Sequence, residues 1–174
     1  MKTLQTDAAV IGGGAAGLLA AARLAEGGAR VVLIEPNKLL GKQLRITGQG
    51  RFNETNDCEV RTVLENVPRN GKFLYSAISR FTPQDTEALF EKLGVPLKVE
   101  RGNRVFPVSD SAHDVANALE RWGQRTGVQV LRGSARKIET ANGAVTRVLT
   151  DDTEVLCRAA ILCTGGKSYP GTGS

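Results

Sequence analysis

Apolar residues along this chain alternate between short unbroken runs and stripes at helical spacing. Residues 8–11 (AAVI) form a run that suits a strand buried on both faces of a parallel sheet. Leu18, Leu19, Ala22 and Leu24 then follow a helical stripe, which Gly27-Gly28 ends. Residues 31–34 (VVLI) are a second run, closed by Glu35. Further on, Val60, Val63 and Leu64 make a short helical face, and Phe73, Leu74, Ala77, Ile78 and Phe81 a better one. Thr82, Pro83 and Asp85 read as the N-cap, first position and first-turn acid of another helix, which carries Ala88, Leu89, Phe90 and Leu93 and stops at Gly94. Residues 95–99 look extended, and residues 104–107 follow a turn at Gly102-Asn103. Ser111-Ala112-His113-Asp114 resembles a capping box, with Val115, Ala118, Leu119 and Trp122 as the core face of the helix it opens.

The last third predicts strands. Residues 134–139 and 144–149 flank Ala141-Asn142-Gly143, and Asn-Gly is the strongest short hairpin signal. With residues 154–157 they make a small antiparallel meander. Residues 128–131 and 159–163 are apolar strands, and the second runs into Thr164-Gly165-Gly166.

Between the first two runs lies Gly12-Gly13-Gly14-Ala15-Ala16-Gly17, a G-x-G-x-x-G turn. Gly12 permits a sharp exit from the strand. A side chain at Gly14 would block the backbone from a pyrophosphate, and Gly17 lets helix and sheet approach. Free N–H groups at the helix start hold phosphates, and an acid about 20 residues on accepts bonds from ribose hydroxyls. Strand, turn, helix, second strand and Glu35 stand in register, which a lone glycine motif does not achieve. The alternative is a glycine-rich turn in an ordinary α/β unit.

The 174 residues are 41% hydrophobic and 24% charged, a composition that suits one good core. No apolar run is long enough to span a bilayer, so no membrane partner is expected. The start, residues 2–7, is a polar strand lead rather than a signal peptide. Cys58, Cys157 and Cys163 are odd in number and lack C-x-x-C spacing, which points to a reducing cytoplasm and to no metal site. The net charge of +5 is scattered among acids with no aromatic-rich basic stripe, so it reads as a solvated surface, and no nucleic acid is expected. His113, the single histidine, reads as solvated, and Cys163 as core. Residues 36–56 pack glycines, amides, hydroxyls and basic groups together, which suits a loop whose backbone approaches a ligand.

The first strand–helix–strand unit, the meander and the strand ending in Thr164-Gly165-Gly166 together resemble the glutathione-reductase-like FAD-binding fold. A narrower likeness lies in Leu40-Gly41-Lys42-Gln43-Leu44, Ile46-Thr47-Gly48, Gly50-Arg51, Asn53, Thr55-Asn56, residues 104–109 and residues 164–170. These resemble the motifs of the BaiN-like bacterial flavoproteins, which include aminoacetone oxidases and NAD(P)/FAD-dependent oxidoreductases. The family usually has Arg-Lys where this chain has Lys42-Gln43, Gly at Gln49, and Cys at Phe52. It also runs to about twice this length, with a further domain and a final flavin-contacting segment, as the resemblance implies. The expectation is therefore one FAD-binding domain over residues 1–174: α/β and Rossmann-like, with a parallel sheet, inserted helices and the meander. It would be the N-terminal portion of a longer enzyme, inactive alone.

The resemblance implies a FAD-dependent oxidoreductase acting on a small organic substrate, with NAD(P)H or oxygen as second redox partner. Gly12, Gly14, Ala15, Ala16 and Gly17 would hold the pyrophosphate and Glu35 the adenosine ribose. Lys42, Gln43, Thr47, Gly48 and Asn53 would lie along the flavin. Ala135, on the first meander strand, would meet adenine through its backbone, and Thr164-Gly165 would close over the cofactor. No residue stands out as acid, base or nucleophile. Two cysteines close together after the second strand would mark a disulfide reductase, and residues 41–53 hold none. The alternatives are an NAD-binding dehydrogenase built on the same unit, and a non-catalytic nucleotide- or RNA-binding fragment.

Overall fold

The computed structural model describes residues 1–166. In chain order its strands and helices are β1 (Lys2–Gln5), β2 (Ala8–Ile11), α1 (Ala15–Glu26), β3 (Val31–Glu35), α2 (Lys42–Ile46), β4 (Thr55–Asn56), α3 (Val60–Glu65), α4 (Gly71–Arg80), α5 (Pro83–Lys92), β5 (Leu97–Glu100), β6 (Arg104–Pro107), α6 (Ala112–Arg125), β7 (Gln129–Arg132), β8 (Lys137–Ala141), β9 (Ala144–Leu149), β10 (Thr153–Leu156) and β11 (Ala159–Leu162). They fall into two compact units, residues 1–44 with those from 119 onward, and residues 45–118. Among the described residues no helix is long and apolar enough to cross a membrane.

The first unit is built on a parallel sheet in the order β11-β2-β3-β7. Its two central strands are buried at every position, which is why their sequences are unbroken apolar runs rather than alternations. Side chains of a strand alternate between its two faces. Ala9 and Ile11 of β2, with Val32 and Ile34 of β3, turn to one face and pack with Val148 and Val155 of the second sheet and with Cys157, which follows it. Helix α1 packs against β2, β3 and β11 and buries Gly17, Leu18, Ala21 and Ala22. Burying one such Val or Leu contributes about 1.5–3 kcal/mol.

That second sheet has the order β1-β10-β9-β8. β8, β9 and β10 are the expected antiparallel meander. Asn142 and Gly143 both have positive φ, 51° and 76°, as a type I′ hairpin turn requires. Two details differ from the sequence reading. The polar lead becomes strand β1, because it pairs in parallel with β10, some 150 residues away. The first meander strand begins at Lys137, so Ala135 sits on the connector before it, packed against the shared core.

The second unit carries a three-stranded antiparallel sheet, β4-β6-β5, whose central Val105 is fully buried. Thr82 caps α5 as expected. Its side chain accepts from the N–H of Asp85, and the Asp85 carboxylate accepts from the N–H of Thr82 at 2.8 Å. Gly94 ends the helix with φ +84°, and the N–H of Val95 reaches back to the carbonyl of Phe90. Residues 36–56, expected as a loop that approaches a ligand, are partly helical. Leu40 and Leu44 are both buried, and their spacing of four folds the stretch between them into the start of α2. A tight helical turn, Thr47–Gly50, follows.

Candidate nucleotide-binding site

The site begins where β2 ends. Gly12 has φ +106°, and its N–H bonds the carbonyl of Ile34 at 2.9 Å. A Cβ on Gly12 would strike the Cys163 carbonyl and crowd the Cα of Thr164. The turn after β2 therefore lies directly against the turn after β11, and only glycine permits both the conformation and the approach. The N–H of Cys163 bonds the carbonyl of Ile11 at 2.8 Å, completing that junction. A Cβ on Gly17 would run into the carbonyl oxygen of Gly12. Gly17 thus sets how closely α1 meets the sheet, as its position in the motif requires.

Gly14 is different. It caps α1 without a side-chain bond, and a Cβ built on it would meet nothing within 4 Å. The first helical bond of α1 runs from the N–H of Leu18 to the carbonyl of Gly14, at 2.9 Å. The N–H groups of Ala15, Ala16 and Gly17 have no intrahelical acceptor, and they stand at the positive end of the helix dipole. Ala15 and Ala16 are exposed, and no acid occupies the first turn. An open, electropositive cradle of backbone donors fits a diphosphate.

Glu35 closes the other side. It is 8% exposed, and one carboxylate oxygen accepts the N–H of Gly13 at 2.6 Å. The other accepts the backbone N–H and the side-chain amide of Asn37, at 2.9 and 2.6 Å. A carboxylate has about four acceptor positions, and three are used, which leaves room for a ribose hydroxyl. The glycine turn is braced once more by the N–H of Gly41, which donates to the carbonyl of Gly13 at 2.8 Å. Gly13, Asn37 and Gly41 are contributors that sequence reading missed. Only the left-handed φ of Gly41, +64°, had a foreshadowing, in the glycine itself.

The structure brings Gly12, Gly14, Ala15, Ala16, Gly17, Glu35, Thr164 and Gly165 together around the ends of β2, β3 and β11. Thr164 and Gly165 are exposed, and Gly165 has φ +91°. Lys42 and Gln43 are exposed on α2. Residues 167–170, part of the narrower motif, lie outside the described residues.

Thr47, Gly48 and Asn53 belong to the second unit, on one exposed loop. A Cβ on Gly48 would lie 3.7 Å from the N–H nitrogen of Asn53, so those two are neighbours. Gly48, Gln49, Gly50 and Phe52 all have left-handed φ, between 57° and 85° for Gln49, Gly48, Phe52 and Gly50 alike. This gives a physical reason for the glycine that BaiN-like sequences have at position 49. Arg51 anchors the loop. Its guanidinium bonds Glu100 at 2.6 Å, bonds Asp110, and lies 4.4 Å from the centre of the Phe106 ring. Both carboxylates hold the Arg51 pKa above its ordinary value, and Arg51 in turn holds Glu100 below its own. Arg45 is buried and donates to Asn117 Oδ1 at 2.8 Å and to His113 Nδ1 at 3.3 Å. His113 is exposed, as expected, and serves as an acceptor there. Burial pushes the thiols of Cys157 and Cys163 up, away from the thiolate form.

Comparison with known proteins agrees with this geometry. Residues 6–174 match the HI0933-like protein Rossmann domain. The chain is 32% identical over 170 residues to the 3-dehydro-bile acid delta(4,6)-reductase of Clostridium scindens, covering 95% of this chain and 40% of that protein. It is 31% identical over 169 residues to the ribosomal RNA dihydrouridine synthase of Haemophilus influenzae, covering 95% and 41%. The chain thus spans about two fifths of the length of these relatives. Its fold matches that of 3-ketosteroid-delta4-(5alpha)-dehydrogenase from Rhodococcus jostii, with a TM-score of 0.73 at 15% identity over 94% of this chain and 46% of that one. The chain belongs to the HI0933-like Rossmann-domain family, a family of FAD-binding proteins.

Proposed function

We propose that this chain holds the FAD of an enzyme that transfers electrons or hydride to or from a small organic substrate, with NAD(P)H or oxygen as the second redox partner. The observation that carries the reading is the pairing of an open cradle at Gly14 with a carboxylate, Glu35, locked onto the same turn. When bound, FAD supplies the redox chemistry. The chain's own residues bind and orient it. The amides at Gly14, Ala15, Ala16 and Gly17 receive the pyrophosphate, and Gly12 shapes their turn. Glu35 accepts from the ribose. Ala135 offers its backbone to the adenine, and Thr164 and Gly165 close over the cofactor. Lys42, Gln43, Thr47, Gly48 and Asn53 lie along the flavin.

The substrate is a matter for the longer proteins. The relatives are named for a bile acid and for ribosomal RNA, at nearly equal identity, so their names do not choose. We place the protein in the cytoplasm, on its three unpaired cysteines. An NAD-binding dehydrogenase would use the same first unit, but the meander and the turn at Thr164 favour FAD. The test is a spectrum of the purified protein after incubation with FAD and gel filtration. A flavin band near about 450 nm, set by the cofactor itself, supports the reading. Retention of NAD and no flavin would replace it.

A further inference from the structure

Helices α3 and α4 of the second unit contain no fully buried residue. Successive side chains on a helix are about 100° apart. On α4 this places Leu74 and Ile78 on one side, and both are half-buried. Round the opposite arc come Phe73, Arg80, Ser76, Lys72, Ser79 and Tyr75, and every one is exposed. Phe73 is 85% exposed and Tyr75 62%. Large aromatic rings are ordinarily among the first groups a fold buries. Here two stand at the borders of a solvent-facing arc with cations between them. Tyr75, Lys72 and Ser79 also line a cleft with Leu64 and Arg61 of α3.

The charge of this segment is one-sided. Residues 60–81 hold four cations, Arg61, Arg69, Lys72 and Arg80, against one acid, Glu65. This net of +3 is most of the chain's +5. Arg61 is paired with Glu65 at 2.7 Å. Arg69, Lys72 and Arg80 have no acidic partner among the described residues. Helix α4 sets Lys72 and Arg80 within the arc between the two rings, and Arg69 is exposed two residues before the helix begins. Unpaired cations flanked by exposed rings complement a polyanion that also presents flat apolar faces. A duplex hides its bases, whereas a single strand offers both phosphates and bases.

We propose that the α3–α4 surface binds single-stranded nucleic acid, with bases stacked on Phe73 and Tyr75 and phosphates held by Arg69, Lys72 and Arg80. This goes beyond the flavin reading, and its test needs no flavin. Fluorescence anisotropy of the full chain with labelled oligouridylate, oligothymidylate and a duplex of equal length measures it. Single strands of RNA, DNA or both bind more tightly than duplex, and affinity falls with salt. Lys72→Gln lowers the salt slope by about 0.7, the loss of one phosphate contact on a single strand. Phe73→Ala weakens binding roughly 5- to 150-fold. Phe73→Leu, which keeps an apolar side chain but no ring, weakens it similarly, and circular dichroism verifies that both variants fold. Absence of salt-dependent binding by the wild-type chain overturns the proposal. So does unchanged binding in Phe73→Ala/Tyr75→Ala. Sedimentation in which those variants lose self-association while single-strand binding persists would assign the surface to a second copy instead.

Discussion

The carboxylate of Glu35, at the end of β3, accepts the backbone N–H of Gly13, 22 residues earlier, at 2.6 Å. The acid we propose for the ribose is thus also a brace for the turn we propose for the phosphates. Its loss has two consequences that can be separated. Glu35→Ala leaves a buried N–H without an acceptor, which costs about 1–3 kcal/mol of stability. It also removes the bond to the ribose, and FAD affinity falls roughly 10- to 150-fold. Glu35→Gln retains an oxygen for Gly13 but turns its amide group on the N–H donors of Asn37, so it recovers only part of the stability lost in Glu35→Ala, while its FAD affinity stays low. Thermal melts without flavin and titrations with it distinguish the two. A Gln variant with wild-type affinity would remove the charge from the site.

Gly17→Ala tests the packing of α1. The new methyl group runs into the Gly12 carbonyl oxygen, which is backbone and cannot swing aside. Overpacking of this kind costs about 1–3 kcal/mol. The expected result is a lower midpoint in urea with an unchanged slope. An unaltered midpoint would mean that α1 sits further from the turn than described.

Glu54 gives a pH signature. Both of its carboxylate oxygens are buried without a hydrogen-bond partner, as is one oxygen of Glu87. Burial first, and the nearby Glu87 second, push the Glu54 pKa from 4.5 up to about 8. Glu87 is raised as well, by burial and by Asp57 and Glu91. The folded chain therefore binds the Glu54 proton more tightly than the unfolded chain does. Its contribution to stability is full below about pH 4.5, declines as pH rises, and is gone above about pH 8. Glu54→Gln flattens this part of the profile and raises the melting temperature at pH 8 relative to the wild type. Parallel profiles for the two proteins from pH 5 to 8 would contradict the assignment.

Arg51 should govern the order of the loop that carries Thr47, Gly48 and Asn53. Arg51→Lys keeps a charge but loses the planar fork that reaches Glu100 and Asp110 and stacks on Phe106. Amide hydrogen exchange within residues 48–53 accelerates, while exchange in β5 and β6 changes little. Equal protection of the loop in both proteins would show that something else holds it.

The elements that sequence reading found were those with local causes. β2 and β3 are apolar at every position because both faces are covered. The β8–β9 hairpin follows from two residues, Asn142 and Gly143, that accept positive φ. Thr82 and Asp85 cap α5 across three positions of sequence. What escaped was non-local. β1 is polar and becomes a strand through its pairing with β10. Ala135 was expected on a strand, but the ladder begins two residues later, where Lys137 meets Leu149. The brace from Glu35 to Gly13, the links from Arg51 to Glu100 and Asp110, and those from Arg45 to His113 and Asn117 join residues far apart in the chain. Periodicity carries no information about such pairs. Gly12, Gly14 and Gly17 were legible as a motif, and the structure shows how differently the three are placed. Gly12 and Gly17 relieve contacts within the fold, whereas Gly14 opens onto space.

That contrast supplies the most direct measurement. Gly14→Val adds a side chain whose Cβ has nothing in the protein within 4 Å. FAD is titrated into the wild-type chain and into Gly14→Val, followed by quenching of flavin fluorescence, with a thermal melt of each apoprotein alongside. The wild type binds FAD saturably, the variant does not, and the two melting temperatures are closely similar. Equal FAD affinity in the two proteins would mean that the phosphates do not bind at the glycine turn, and would contradict the assignment of this site.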